Sequence, residues 1–228
     1  MRSRGRLVVS VVVPVVALAS LLAGCLDPTT GTPPPRTTPV APYRETVSAV
    51  TAGDLGSSWR TGCPVGPANL RRVRVDYWGY DGARHRGDLI VHRDVAADVA
   101  GAFGALFNAR FPIRRIHPVQ RYGSDDDTSM AANNTSGFNC RRTTAGTRWS
   151  EHAYGRAIDI NPVQNPYVSA RGTVLPPSGA PWANRTLRVP GMIHRNGIVR
   201  SAFAAIGWSW GGDWADPKDY QHLSQAGR

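Results

Sequence analysis

Hydrophobic and polar residues alternate between Leu70 and Tyr80, which is the period of a half-buried β-strand. The apolar positions on one face of this strand are Val73, Val75 and Tyr77. Asp81-Gly82 then gives a turn signal, and a second apolar run begins at Leu89. Two such runs joined by a short segment containing Asp-Gly predict a β-hairpin.

The residues after the hairpin have the period of an amphipathic helix. The inward positions of this helix are Val95, Val99, Phe103, Leu106 and Phe107. Asp94 precedes them as a candidate N-cap, and Pro112 is expected to end the helix because proline cannot continue it. We expect a further strand at Ile113–Val119. A second amphipathic helix is predicted at Gly197–Ile206, with the apolar positions Ile198, Val199, Ala202, Phe203 and Ile206.

Two segments show neither the alternation of a β-strand nor the period of an amphipathic helix. Tyr122–Asn139 is expected to be a loop, and its acidic run Asp125–Asp127 lacks the pattern of an EF-hand calcium site, so it is expected to be solvated. Val168–Pro190 is rich in Pro and Gly, which is typical of a long irregular insertion that lines a binding cleft. Because strands and helices do not alternate regularly, the predicted class is α+β.

The N-terminus has the features of a targeting segment. Arg2, Arg4 and Arg6 precede an apolar run, Leu7–Leu22, that is short for a membrane span. The run ends in small residues before Cys25, a pattern that resembles a bacterial lipobox. We therefore predict export and lipidation of Cys25 at the outer face of the cell membrane. An ordinary secretory signal followed by a coincidental cysteine is the alternative.

The sequence predicts three consecutive regions: a lipoprotein signal peptide (1–24), a Pro/Thr-rich tether (25–45) and one folded domain (46–228). The formal net charge is +11, and removal of the three signal arginines leaves about +8. Nothing in the sequence resembles a nucleic-acid-binding module, so anionic wall polymers or lipid head groups are the simpler partners. A basic surface that is merely solvated is the alternative, and we expect a monomer.

The chain has three cysteines. Lipidation of Cys25 leaves Cys63 and Cys140, an even pair in an exported protein, where disulfides persist. We predict that these two are bridged. Two separate buried thiols are the alternative.

Candidate chemistry is concentrated in residues 150–161. His152 and Asp159 offer an imidazole and a carboxylate, which are two of the ligand types that zinc takes in catalytic sites. Gly155 fits a turn between them, and Ala157–Asn161 fits a strand that returns Asp159 to the side of His152. One histidine and one aspartate are weak evidence by themselves.

A second motif lies near the C-terminus, where Asp219 and His222 form a D-x-x-H pair. The pattern SxHxxGxAxD at residues 150–159, followed by this pair, resembles peptidase family M15, which comprises zinc D-alanyl-D-alanine carboxypeptidases and L-alanyl-D-glutamate endopeptidases. The resemblance is strongest over Asn133–His222. It implies the fold of D-Ala-D-Ala carboxypeptidases and hedgehog-like domains, a small antiparallel β-sheet that carries a zinc site and has helices packed on one side.

The resemblance also implies roles for individual residues at the zinc. His152, Asp159 and His222 would hold Zn²⁺, and three protein ligands leave one position open. Asp219 would be the general base. Glu151 could compete for that role, but neighbouring residues of an extended chain point to opposite sides, so we expect it to face away from the metal.

Substrate contacts are assigned to three residues near the ligands. Related enzymes carry an arginine upstream of the first zinc ligand that holds a substrate carbonyl or carboxylate, and Arg141 is our candidate, with Arg142 as the alternative. Ser150 belongs to the matched pattern and would hydrogen-bond within the site or to the substrate. Trp214 would form a cleft wall, although core packing is an equal alternative for it and for Trp208 and Trp210.

The resemblance therefore predicts a zinc-dependent peptidase that faces the cell wall and acts on peptidoglycan stem peptides. Aspartate at position 219, where many carboxypeptidases have glutamate, favours the endopeptidase branch without deciding between the two. A non-catalytic wall-binding lipoprotein that kept the fold is the alternative from another class. The presence of all three ligands and of Asp219 argues against that alternative.

Overall fold

The computed structural model describes residues 42–143 and 146–227. The predicted signal peptide, Cys25 and most of the predicted tether lie outside the described residues. Within the described ranges, no helix combines the length and the apolar character that are needed to cross a bilayer.

The first half of the described chain is built on an antiparallel sheet with the strand order β1-β2-β3. The strands are β1 (Glu45–Ala49), β2 (Leu70–Trp78) and β3 (Arg84–His92). β2 and β3 form the predicted hairpin, in which Val73 is opposite Leu89 and both are buried. The sequence does not predict β1, because all of its residues are exposed and it therefore has no apolar period.

Two helices pack near this sheet: α1 (Ala52–Leu55), a single turn, and α2 (Ala96–Asn108), which lies where the apolar period predicts it. The prediction that Asp94 caps the long helix is wrong. A 3-10 turn at Arg93–Val95 precedes α2, and the Asp94 carboxylate instead accepts a hydrogen bond from Arg156 at 2.9 Å. The helix ends before Pro112, and Arg110 already has a left-handed φ of 54°.

The predicted strand at Ile113–Val119 is wrong. Ile113 and Ile116 are buried, but the segment makes isolated bridges instead of a ladder, and Ile116 is bridged to Thr135. The apolar side chains that suggest a strand here fill the core from irregular backbone. Burial alone does not require strand pairing.

The predicted loop at Tyr122–Asn139 contains a helix, α3 (Asp126–Ala131). Asp125 caps it, because its carboxylate accepts a hydrogen bond from the Thr128 N–H at 2.7 Å. Acidic residues stabilise the first turn of a helix through its dipole. The acidic run is therefore the start of a helix and not a solvated loop.

Residues 146–227 form six short strands: β4 (Ala157–Asp159), β5 (Tyr167–Val168), β6 (Val174–Leu175), β7 (Ser209–Trp210), β8 (Lys218–Asp219) and β9 (His222–Ser224). They make two antiparallel sheets with the strand orders β4-β9-β7 and β6-β5-β8. The second predicted helix is present as α4 (Ile198–Ala205).

One hydrophobic core joins the two halves. Val73 and Leu89 of the hairpin, Phe103 of α2, Phe203 of α4 and Leu223 of β9 belong to the same buried cluster. Phe103 and Phe203 meet edge to face, with ring centroids 6.1 Å apart, which is a favourable aromatic geometry. The protein is therefore α+β with small antiparallel sheets and few helices, as the sequence predicts.

The predicted disulfide between Cys63 and Cys140 is confirmed. The two residues are bridged, with Cα atoms 5.9 Å apart and a sequence separation of 77. Cys140 is buried in a second apolar cluster with Ile90 and Phe138. The bond ties the irregular segment before β2 to the residues that lead into Arg141.

We expect this bridge to contribute about 4 kcal/mol to the free energy of unfolding, since closing so long a loop restricts the unfolded chain. Urea unfolding of Cys63→Ser/Cys140→Ser beside the unchanged protein measures this difference. Cys25→Ser is the matched control and should leave the free energy of unfolding unchanged. Two reactive thiols in denatured, unreduced Cys25→Ser protein would contradict the bridge.

Candidate metal centre

His152 is presented by a 3-10 turn, Glu151–Tyr154, that Ser150 caps. The Ser150 hydroxyl accepts a hydrogen bond from the His152 N–H at 3.3 Å. Gly155 ends the turn with a φ of 68°, as predicted, and a Cβ there would lie 2.6 Å from the backbone nitrogen of His92. Only glycine fits this position, so the turn is fixed at both ends.

Strand pairing brings Asp159 and His222 together. They are register partners in β4 and β9, and directly opposed residues of an antiparallel pair lie on the same face. The His152 turn adds the third side chain. His152 Nε2 lies 3.2 Å from Asp159 Oδ2 and 3.2 Å from His222 Nδ1, and His222 Nδ1 lies 3.2 Å from Asp159 Oδ1. All three residues are buried.

These three side chains lie close enough together to share one metal ion. Tetrahedral zinc bonds of about 2.0–2.1 Å place neighbouring ligand atoms about 3.3 Å apart, which is close to the three 3.2 Å distances, of which the two from Asp159 start from its two different oxygens. His152 Nδ1 donates to the Gly137 carbonyl at 2.7 Å, so the neutral ring turns the lone pair of Nε2 toward the cluster. Lone pairs that converge in this way repel one another unless a cation or protons lie between them. His152, Asp159 and His222 could therefore hold a metal ion.

The pKa values of Asp159 and His152 are both shifted by the charge that each side chain exerts on the other. Burial alone would raise the pKa of Asp159, but the neighbouring imidazoles outweigh burial and hold the pKa well below its ordinary value. Burial alone would lower the pKa of His152, but the charge of Asp159 outweighs it and raises the pKa. A proton therefore occupies the metal-free cluster readily. Because a metal ion must displace that proton, metal affinity falls as the pH falls.

Asp219 lies in the same cleft but is not one of the three candidate ligands. It is in β8, opposite Tyr167 of β5. Its Oδ1 atom is buried and has no hydrogen-bond partner among the described residues. Burial raises the pKa of Asp219 to about 6; His222 acts against this shift and Asp159 adds to it. A carboxyl group with a pKa near neutrality can both accept and release a proton, as general acid–base chemistry requires.

The cleft has a volume of about 830 Å³, and Arg141 and Arg142 both line it. Their contacts differ. The Arg141 guanidinium bonds the Asp126 carboxylate at 2.8 Å and is close enough to act on the pKa of His152. The Arg142 guanidinium lies over the ring of Trp149, 3.8 Å from its centroid, and is exposed. Arg141 is therefore the arginine whose charge acts on the pKa of both His152 and Asp219.

The three tryptophans differ in their surroundings. Trp208 and Trp210 are buried and belong to the main core. Trp214 lines the cleft, with its ring centroid 5.4 Å from that of His222, and its Nε1 donates to the Gly227 carbonyl at 2.6 Å. Trp214 therefore forms a cleft wall beside one of the candidate ligands.

Ser150 and Glu151 also line the cleft. The Ser150 oxygen is already engaged as the cap of the His152 turn, so its contact lies within the site. Glu151 belongs to no metal-binding group in the described part of the chain. Asp126 forms an ion pair with Arg141, and sequence reasoning misses this contact. The acidic run is expected from the sequence to be a solvated loop, whereas Asp126 lies in the first turn of α3.

One comparison with known proteins bears on this site. Residues 143–225 match the family model described as D-alanyl-D-alanine carboxypeptidase. The matched segment contains all three candidate ligands and Asp219, and it begins just after Arg142. It confirms the resemblance to peptidase family M15 for this part of the chain. No curated protein and no solved structure matches the chain.

Proposed function

We propose, since residues 143–225 match the family model described as D-alanyl-D-alanine carboxypeptidase, that the protein is a zinc-dependent metallopeptidase that hydrolyses peptide bonds in peptidoglycan stem peptides. The observation that carries this proposal is the group of three candidate ligands in one cleft with Asp219, whose Oδ1 atom is buried and has no hydrogen-bond partner among the described residues. Two imidazoles and one carboxylate are a known ligand set of hydrolytic zinc sites. The same match supports the fold of D-Ala-D-Ala carboxypeptidases as the finer description of this α+β protein.

Each group in the cleft has a role in this proposal. Zinc held by His152, Asp159 and His222 would polarise the scissile carbonyl and lower the pKa of the attacking water. Asp219 would accept the proton of that water and pass it to the leaving amine. Arg141 would bond an oxygen of the substrate, because it lines the cleft and its guanidinium is held by Asp126, which lines the cleft as well.

The bond that is cut depends on how the stem peptide lies in the cleft. A D,D-carboxypeptidase needs a cation at the terminal carboxylate, and Arg141, Arg142 and Arg148 all line the cleft. An L-alanyl-D-glutamate endopeptidase needs a groove that accepts chain on both sides of the cut bond. Both reactions use the same zinc ligands and the same base, so we propose the substrate class and leave the bond to experiment.

Digestion of purified muropeptides, followed by mass spectrometry, tests the proposal directly. Loss of a terminal D-alanine would identify a carboxypeptidase, and release of the peptide after its L-alanine would identify an endopeptidase. A zinc-loaded protein that binds muropeptides and cleaves none of them would overturn the proposal. That result would favour a non-catalytic wall-binding protein.

Arg141→Gln is expected to lower kcat/KM by about 10–100-fold, because it removes a charge-assisted hydrogen bond to the substrate. Zinc content should stay unchanged, since the side chain is not a ligand. Arg142→Gln is the matched control, because the neighbouring guanidinium stacks on Trp149 and should be dispensable. A larger loss in Arg142→Gln than in Arg141→Gln would assign the role to Arg142.

We also propose that the enzyme is exported and anchored by a lipid on Cys25, which would place it on the outer face of the membrane beside its substrate. Wild-type protein should partition into detergent with the membrane fraction. Cys25→Ala should be released or remain unprocessed, because the acylated thiol is gone. Membrane association that is unchanged in Cys25→Ala would rule out the anchor.

A further inference from the structure

A second cavity, of about 530 Å³, lies apart from the three candidate metal ligands, none of which lines it. The basic residues that line it are Arg185, Arg188, His194, Arg195 and Lys218. No aspartate or glutamate is among the described residues that line it. A concave surface with charges of one sign concentrates ions of the opposite sign.

The second cavity lies behind the strand that carries the proposed base. Lys218 and Tyr220 line this cavity, whereas Asp219 and Gln221 line the catalytic cleft. Successive residues of an extended chain point to opposite sides, so one segment of backbone separates the two sites. A ligand in the second cavity would therefore leave the catalytic cleft open.

Three of the cations have no carboxylate partner within the described part of the chain. Arg185 donates to the carbonyls of Gln164 and Ile193, at 2.7 and 2.5 Å, and its guanidinium lies 4.4 Å from the ring centroid of Tyr220. Arg188 donates to backbone carbonyls and contacts His194 Nδ1 at 2.8 Å. Lys218 also donates to carbonyls. Carbonyl partners orient these groups but leave their charge uncompensated.

The fourth cation is only partly neutralised. Arg195 Nη1 lies 2.7 Å from Asp213 Oδ1, but the same carboxylate also bonds Arg200 at 2.8 Å. The excess charge also acts on His194, whose pKa is lowered first by burial and then by the charges of Arg188 and Arg185. A bound anion would offset this mutual repulsion.

The start of α4 adds to the positive character of this cavity. Gly197, the N-cap of that helix, lines the cavity and has no side chain with which to bond the first-turn N–H groups. Helix N-termini bind anions through such N–H groups and the helix dipole. Guanidinium groups add bidentate donors that match tetrahedral oxyanions.

We propose that this cavity is a second binding site, separate from the catalytic cleft, and that it takes a phosphate group. Arg188, Arg195 and Lys218 would contact the oxyanion, and Arg185 and Tyr220 would form the floor. The phosphate group could belong to a phosphodiester polymer of the envelope or to a small free phosphate. In either case the site would hold an anionic partner while the cleft acts on a stem peptide.

Calorimetric titration of the full-length, zinc-free protein with inorganic phosphate, at an ionic strength held constant with chloride, tests this site. We expect saturable binding of one phosphate per chain. Arg188→Gln and Arg195→Gln should each weaken it about tenfold or more, because each removes a charge-assisted hydrogen bond. Both side chains are exposed, so the variants should fold. The NMR signal of the His194 ring should titrate with a raised pKa when phosphate is present.

Arg141→Gln is the matched control, because Arg141 is in the catalytic cleft and its loss should leave phosphate affinity unchanged. A second titration, with a glycerol phosphodiester, shows whether the bound phosphate group comes from a phosphodiester polymer or from a small free phosphate. Binding as tight as that of inorganic phosphate indicates a polymer, and much weaker binding indicates a free phosphate. The proposal is overturned if phosphate fails to saturate, or if Arg188→Gln and Arg141→Gln bind it equally well. Neither result depends on peptidase activity.

Discussion

Asp219→Asn is expected to lower the rate of stem-peptide hydrolysis by about 10²–10⁴-fold, which is the usual scale for loss of a general acid–base residue. Zinc should stay bound at one per chain, because His152, Asp159 and His222 remain. The amide keeps the shape of the carboxylate but cannot accept a proton from water. Zinc content by elemental analysis and cleavage rate on muropeptides, measured on the same sample, separate these two effects.

Glu151→Gln is the matched control, because Glu151 also lines the cleft and the substitution changes its carboxylate in the same way. It should keep most of the activity. If Asp219→Asn loses its zinc, Asp219 is a metal ligand. If Asp219→Asn keeps full activity while Glu151→Gln loses it, the base is Glu151.

The same substitution has an expected effect on stability that a purely structural residue would not show. Burial raises the pKa of Asp219 to about 6 in the folded protein, above its value of about 4 in an unfolded chain. The protonated carboxyl group of Asp219 therefore stabilises the folded protein below about pH 4, and this contribution is lost as the pH rises through about 6. The amide that replaces the carboxyl group cannot ionise. The free energy of unfolding of zinc-free Asp219→Asn minus that of the zinc-free wild type should therefore be larger at pH 8 than at pH 4. A difference that does not change with pH would contradict the raised pKa.

The sequence predicts the elements whose period is set by one buried face. The β2–β3 hairpin, α2 and α4 each bury a regular set of apolar side chains, and all three lie where the period places them. The three candidate ligands are predictable for a different reason. His152 and Asp159 are close in sequence and joined by a turn that needs Gly155, so a short motif contains most of the geometry.

Other features depend on contacts that are distant in sequence. α3 has six residues and few buried side chains, so only its cap Asp125 marks it. The same helix carries Asp126, which holds Arg141 across a contact that no local pattern predicts. The strand expected at Ile113–Val119 fails because burial without hydrogen-bonded neighbours resembles a strand in sequence.

The basic cavity is a further feature that sequence alone does not locate. Composition indicates a basic protein, with a formal charge of +11, but not where the charge collects. The cavity draws Arg185, Arg188 and Arg195 from one irregular stretch and Lys218 from β8. Only the folded chain brings these cations to one side of the backbone and Asp219 to the other.

Removal of a metal ligand is expected to have the largest effect on the site. His152→Ala, Asp159→Ala and His222→Ala should each lose most of the bound zinc and reduce hydrolysis to background. Among the described residues the candidate site has three ligand side chains, so the two that remain cannot hold the ion tightly while one position stays open. Zinc content and muropeptide cleavage are the first two measurements.

Thermal unfolding gives a readout that does not depend on activity. A ligand that binds only the folded protein stabilises it by about 2.7 kcal/mol at a concentration of 100 Kd. Added zinc should therefore raise the Tm of the wild-type protein and of Asp219→Asn, and leave the Tm of His222→Ala nearly unchanged. The distinction between Asp159 and Asp219 is the sharpest part of this test, because both are aspartates that line the same cleft. If Asp159→Asn keeps the zinc-dependent rise in Tm and Asp219→Asn loses it, the two residues have exchanged the roles assigned here, and the triangle of His152, Asp159 and His222 is a hydrogen-bonded cluster beside the true metal site.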